Sequence, residues 1–132
     1  MDLADQQYWE AQLDALQELA LQIGEMITAV ALESNTLAQA LATEQCQVVD
    51  AENAITSALA QGTPPPADTP TAASLTREFN SHMAGNCRIV AEGTGCKRDD
   101  GSTGVWLTMT CTDEKGNPKT KSWCARNVQP PY

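Results

Sequence analysis

The chain has 132 residues, 42% of them hydrophobic, and eight Lys and Arg against seventeen Asp and Glu give a formal charge of −9. Residues 1–76 hold eleven acids and no Lys or Arg, for −11, whereas residues 77–132 hold all eight basic residues and six acids, for +2. Phosphate contacts need Lys and Arg to displace counterions, so this balance argues against a nucleic-acid partner, and no apolar run approaches the roughly 18 residues of a membrane span.

The charge asymmetry predicts two unlike halves joined by GTPPPADTP. Met1 is followed by Asp2, Leu3 and Asp5, without the basic and apolar stretches of a secretory signal, so synthesis in the cytoplasm without a signal peptide is expected.

Residues 1–61 read as one long helix. Steps of four and three residues from Trp9 land on Trp9, Leu13, Leu16, Ala20, Ile23, Ile27, Val30, Ser34, Leu37, Leu41, Glu44, Val48, Ala51, Ile55 and Ala58. Thirteen of these fifteen are apolar, Ser34 and Glu44 being the exceptions, and a 3.5-residue repeat held this long is the pattern of a coiled coil. The seam widens at Leu19, Met26 and Leu59, and without lysines the flanking positions cannot form the ion pairs that select dimers, so a parallel homotrimer is expected. The rival is an antiparallel helical hairpin that breaks at ESNT, with Thr36 and Gln39 forming a capping box. Unbroken phase from Val30 to Leu37 favours the continuous rod.

Cys46 falls at the position pointing away from this seam. An odd cysteine in an oxidising setting points to intermolecular pairing, so Cys46 is a candidate for an anchoring disulfide to a second assembly protein. In a hairpin it could instead reach the C-terminal module. The acidic rod itself would suit a basic socket on that partner, or serve only solubility.

Residues 62–69 read as an extended proline-rich linker and 70–85 as a short helix, with Thr69 as cap, Pro70 first, and Leu75, Phe79 and Met83 on one face. His82, the single histidine, lies beside that stripe without a ligand-spaced partner and reads as a packing or surface residue.

From residue 86 to 132 the pattern changes to strands and turns holding Cys87, Cys96, Cys111 and Cys124. So small a module has too little core to stand without staples, and these four are expected to form structural disulfides. Reflection about Gly116-Asn-Pro118 sets Cys111 near Cys124 and leaves Cys87 with Cys96, although all three pairings remain open. The spacings lack a C-x-x-C pair, which speaks against zinc, and no thiol or hydroxyl sits beside a base. No metal, no cofactor and no enzymatic activity are therefore expected. Val105, Leu107 and Met109 alternate with Trp106, Thr108 and Thr110, which puts Trp106 on the face opposite the apolar three. Trp106, Trp123 and Arg126 are the candidate ligand-binding residues, suited to a cell-surface carbohydrate or protein. The alternative is that the tryptophans form the module's own core.

The fold class expected is α+β: a long N-terminal coiled-coil helix, a Pro-rich linker, a short helix and a small disulfide-stapled antiparallel β module. This order, from the Trp9 to Ala58 repeat through TPPPADTP to the Cys87 to Cys124 module, resembles in layout the short trimeric tail fibres of tailed bacteriophages. The resemblance implies a homotrimer in a virion, attached by its N-terminal helix to the tail or baseplate and binding a host surface with its C-terminal head. The second possibility is a leaderless secreted binding module, a toxin accessory or inhibitor, built on a helical hairpin.

Overall fold

In the computed structural model, which describes residues 1–31, 34–112 and 115–126, the element order is α1 (Leu3–Val30), α2 (Asn35–Gln61), α3 (Ala72–Asn86), β1 (Cys87–Lys97), β2 (Thr103–Thr112) and β3 (Pro118–Arg126). The class is α+β, with three helices, one antiparallel sheet and two disulfides.

The expected continuous rod is corrected: the helix stops after Val30 and a second one starts at Asn35, antiparallel to the first. Ser34 is the cause. Its backbone is extended (φ −147°, ψ 99°), and its Oγ accepts a hydrogen bond from the Leu37 backbone N–H at 3.3 Å. A serine hydroxyl offered to a free helical N–H is the favoured way to begin a helix, and it contributes about 1 kcal/mol. The cap is thus Ser34, not Thr36. At the far end of the hairpin the Met1 amino group donates to the Gly62 carbonyl at 3.2 Å, so the start of α1 meets the end of α2.

The seam residues themselves are inside. Leu37, Leu41, Glu44, Val48, Ala51, Ile55 and Ala58 of α2 are buried, and Leu16, Ile23 and Val30 of α1 face them. Leu19 and Met26, which broaden the seam, are buried as well. That breadth reflects cover from several elements of the same chain, since α1 also meets α3 and β3. The stripe that would have joined three copies is therefore used in cis. Heptad phase persists from Val30 to Leu37 because seven residues separate them, whether or not the intervening chain is helical.

Gly62 ends α2 in the left-handed region (φ 69°), where a side chain would be strained, and turns the chain back. The proline segment follows α2 instead of projecting from it. Pro65 is buried, and Pro66, Asp68 and Thr69 share a crevice with Gln47, Asp50 and Ala54 of α2. The next cap is Thr71, in a capping box with Ser74, and not Thr69. Gln12 of α1 completes this helix start by accepting from the Ala72 backbone N–H at 2.9 Å. Leu75, Phe79 and Met83 then enter the core as one stripe.

The sheet runs β1-β2-β3. Its staples differ from the favoured pairing: Cys87 bonds Cys111, and Cys96 bonds Cys124. The reason is register. Cys111 lies opposite Lys119, so the β2–β3 turn is centred on Lys115, earlier than Gly116-Asn-Pro118 implies, and Cys124 lies opposite Trp106. Cys87 and Cys111 are direct cross-strand partners. The other disulfide links the two outer strands over Gly104, which pairs with Cys96 on one side and Arg126 on the other.

A Cβ at Gly104 would collide with the Ala125 carbonyl oxygen and come within 2.8 Å of Cys124 Sγ. Gly104→Ala is accordingly expected to lose about 2 kcal/mol, the usual scale for overpacking a closed site, read as a lowered urea midpoint.

Candidate functional site

The polar contacts between the sheet and the hairpin centre on one carboxylate. Glu25, on the side of α1 that heptad phase turns away from the seam, accepts at Oε1 from Arg98 Nη1 (2.7 Å) and Trp123 Nε1 (3.0 Å). Its other oxygen takes the Arg126 backbone N–H at 3.4 Å. Arg126 Nη2 pairs with Glu18 at 3.1 Å, and Arg98 Nη1 also donates to the Cys124 carbonyl at 2.8 Å. Charge-assisted bonds of this kind are the stronger class of hydrogen bond.

Beside this junction lies an open groove of about 550 Å³, lined by Leu21, Gly24, Thr28, Gln45, Lys121 and Trp123 among others. Gly24 and Gln45 make its floor: Gln45 Nε2 donates to the Ala20 carbonyl at 3.0 Å, and a Cβ on Gly24 would stand 3.0 Å from the same nitrogen. A helix-weakening glycine is thereby explained by close helix approach. Lys121 Nζ reaches the Ala29 carbonyl at 3.5 Å, near the end of α1, where a cation complements the helix dipole.

The structure does not bring the three candidate ligand residues together. Trp123 and Arg126 are half-buried at the junction and bonded to α1. Trp106 lies on the outer face, 37% exposed, on the side away from Trp123 and the buried Met109, as strand alternation requires. Around it the outer face carries Val90, Arg88 and two hydroxyl pairs, Thr108 with Ser122 (2.9 Å) and Thr110 with Thr120 (3.1 Å).

Of the cysteines, Cys46 is exposed on α2 and is the free one; the other four are paired, so it makes no bridge to the β module. Among the described residues no group of three or more His, Cys, Asp or Glu could hold a metal ion. Asp99 and Asp100 belong to a turn. Ser102 donates to Asp100 Oδ1 from its hydroxyl and from its backbone N–H, and these two bonds, the hydroxyl's first, hold the Asp100 carboxyl below its usual range.

A second feature lies between α2 and α3. Glu44 is buried, 1% exposed, and neither carboxylate oxygen has a hydrogen-bond partner. His82 Nε2 stands 3.9 Å from Oε2, too far for a hydrogen bond. Burial first, and the neighbouring Glu78 charge second, raise the Glu44 pKa to about 7; the backbone of Phe79 offsets only part of this. The seam itself marks this residue, since a carboxylate at an inward position is the one titratable break in the repeat.

No family model matches the chain, and comparison with curated proteins and with solved structures finds no match. Function therefore rests on the chemistry of the chain's own residues.

Proposed function

We infer that the protein is a non-enzymatic recognition module of an oxidising setting, which binds a surface carbohydrate through the outer face of its stapled sheet. The observation that carries this reading is Trp106: a large indole held outward on the central strand, in a sheet where one disulfide ties β1 to that strand and the other ties β1 to β3. A rigid aromatic offers contact area at low entropic cost, and the adjoining rows of threonine and serine hydroxyls match the alternating donors and acceptors of a sugar chain. Two disulfides and a core closed within one chain favour a secreted or otherwise released binder over a coiled-coil fibre.

The test is binding to a panel of immobilised glycans. Capture of one glycan class, weakened at least tenfold by Trp106→Ala and unchanged by Lys115→Ala, supports the reading. Capture that Trp106→Ala leaves intact, or capture of protein surfaces alone, rejects it.

Attachment to a larger assembly, in a virion or elsewhere, is a second reading favoured by one observation, the exposed thiol of Cys46. A homotrimer on that reading would need a surface other than the seam. Non-reducing electrophoresis of protein from its native source tests it: a Cys46-dependent adduct with another polypeptide is the expected mark of anchoring, and a free thiol counts against it.

A further inference from the structure

A three-stranded sheet has two edges, and here they are unlike. The β3 edge starts with Pro118 and continues through Lys119 and Lys121, the last of which is tied to the end of α1. Proline and lysine are the usual means by which an edge is closed to further strands. The β1 edge has no such protection along Arg88-Ile89-Val90-Ala91. All four residues are exposed, Ile89 at 39% and Val90 at 52%.

The backbone of β1 is also directed outward at the right positions. Cys87 and Cys111 are cross-strand partners with Cα atoms 4.1 Å apart, the close spacing of a pair that exchanges no hydrogen bonds. By alternation the N–H and C=O groups of Ile89 and Ala91 point away from β2, into the open edge.

The geometry points to a second copy of this chain as the occupant of that edge, paired antiparallel about a two-fold axis at Val90. In this register Ile89 faces Ala91 of the second copy and each exchanges two backbone hydrogen bonds with the other, while Val90 meets its own equivalent. Position 88, an arginine, then falls opposite position 92, a glutamate, twice over, so residue types of opposite charge occupy facing register positions at both ends of the paired segment. No other centre within Arg88–Glu92 sets these two charges against each other. The pairing is bounded by α3, which ends at Asn86, and by the irregularity between Glu92 and Gly95. A six-stranded sheet results, with two Trp106 faces side by side.

Five paired residues per copy make a small interface, and the charge of −9 on each chain opposes association, so the dimer is a concentration-dependent one. Sedimentation equilibrium from about 20 µM to about 1 mM, at 0.15 M salt, tests it. The average mass is expected to rise from 14.1 kDa toward twice that value. Val90→Lys is expected to weaken the dimer at least tenfold without altering the circular dichroism spectrum or the unfolding midpoint. Arg88→Glu is expected to weaken it, and Arg88→Glu combined with Glu92→Arg to restore it. A mass of 14.1 kDa throughout, a dimer indifferent to Val90→Lys, or an assembly of three would overturn the proposal. Trp106→Ala leaves the dimer intact, so loss of glycan binding and loss of pairing are separable.

Discussion

Replacing Cys96 and Cys124 together by serine is expected to lower the unfolding free energy by about 3.5 kcal/mol, and replacing Cys87 and Cys111 by a similar amount. The bonds close loops of 28 and 24 residues, and chain-entropy arguments assign about 3.5 kcal/mol to loops of that length. The sheet has little else to hold it. Its buried hydrophobic residues are only Met109, Cys111 and Ala125 among those described; Met109 and Cys111 join the helical core, with Leu107 and Trp123 packed against it, and Glu25 adds a polar link. Typical domains have about 5–15 kcal/mol in all, so loss of both bonds removes most of the margin. Urea unfolding followed by tryptophan fluorescence checks this, with Cys46→Ser as the control because that thiol is exposed and free. An unchanged midpoint after reduction would show that the staples contribute nothing.

The second large effect is a loss of stability as pH rises, centred on Glu44. Its folded pKa of about 7 lies above the ordinary 4.5, so between these values the folded state holds a proton that the unfolded state has released. Stability from this group is therefore full below pH 4.5, falls through the window to pH 7, and stays low above it. At about 1.4 kcal/mol per pH unit the fall amounts to about 3 kcal/mol. Glu44→Gln keeps the shape and removes the titration. The variant should match the parent near pH 4.5 and exceed it by about 3 kcal/mol at pH 8, as the difference between two urea titrations. Parallel pH profiles for the two proteins would show that Glu44 stays solvated and charged in the folded state.

Much of the interior is legible in the sequence, because periodicity reports which side of a helix is apolar. It does not report what lies against that side. The repeat positions from Leu16 to Ala58 are buried, except the half-buried Ala20 and Ile27, yet the cover comes from the same chain. Both polar interruptions of the repeat turn out to be informative: Ser34 marks where the helix restarts, and Glu44 is a buried carboxylate with His82 3.9 Å away. Each stands out because it violates a pattern that its neighbours keep.

Long-range polar contacts leave no such trace. Glu25 sits at an outward position, and its partners Arg98, Trp123 and Arg126 lie 73 to 101 residues away. Nothing local distinguishes it from other surface acids. The disulfide pairing is hard to read for a related reason, since a displaced turn centre changes every cross-strand partner. Strand alternation on β2 does not depend on the turn centre, so the face of Trp106 is legible in the sequence but the partner of Cys124 is left open.

The most direct test is the distance between the ends of the first two helices. Donor and acceptor dyes at positions 3 and 61, in a Cys46→Ser background diluted with unlabelled protein, report that distance within one chain. With Met1 and Gly62 in hydrogen-bond contact, the hairpin predicts nearly complete energy transfer, at a separation below about 20 Å once the dye linkers are included. A continuous helix rising 1.5 Å per residue would separate the dyes by about 87 Å and leave transfer close to zero, and that result would contradict the hairpin.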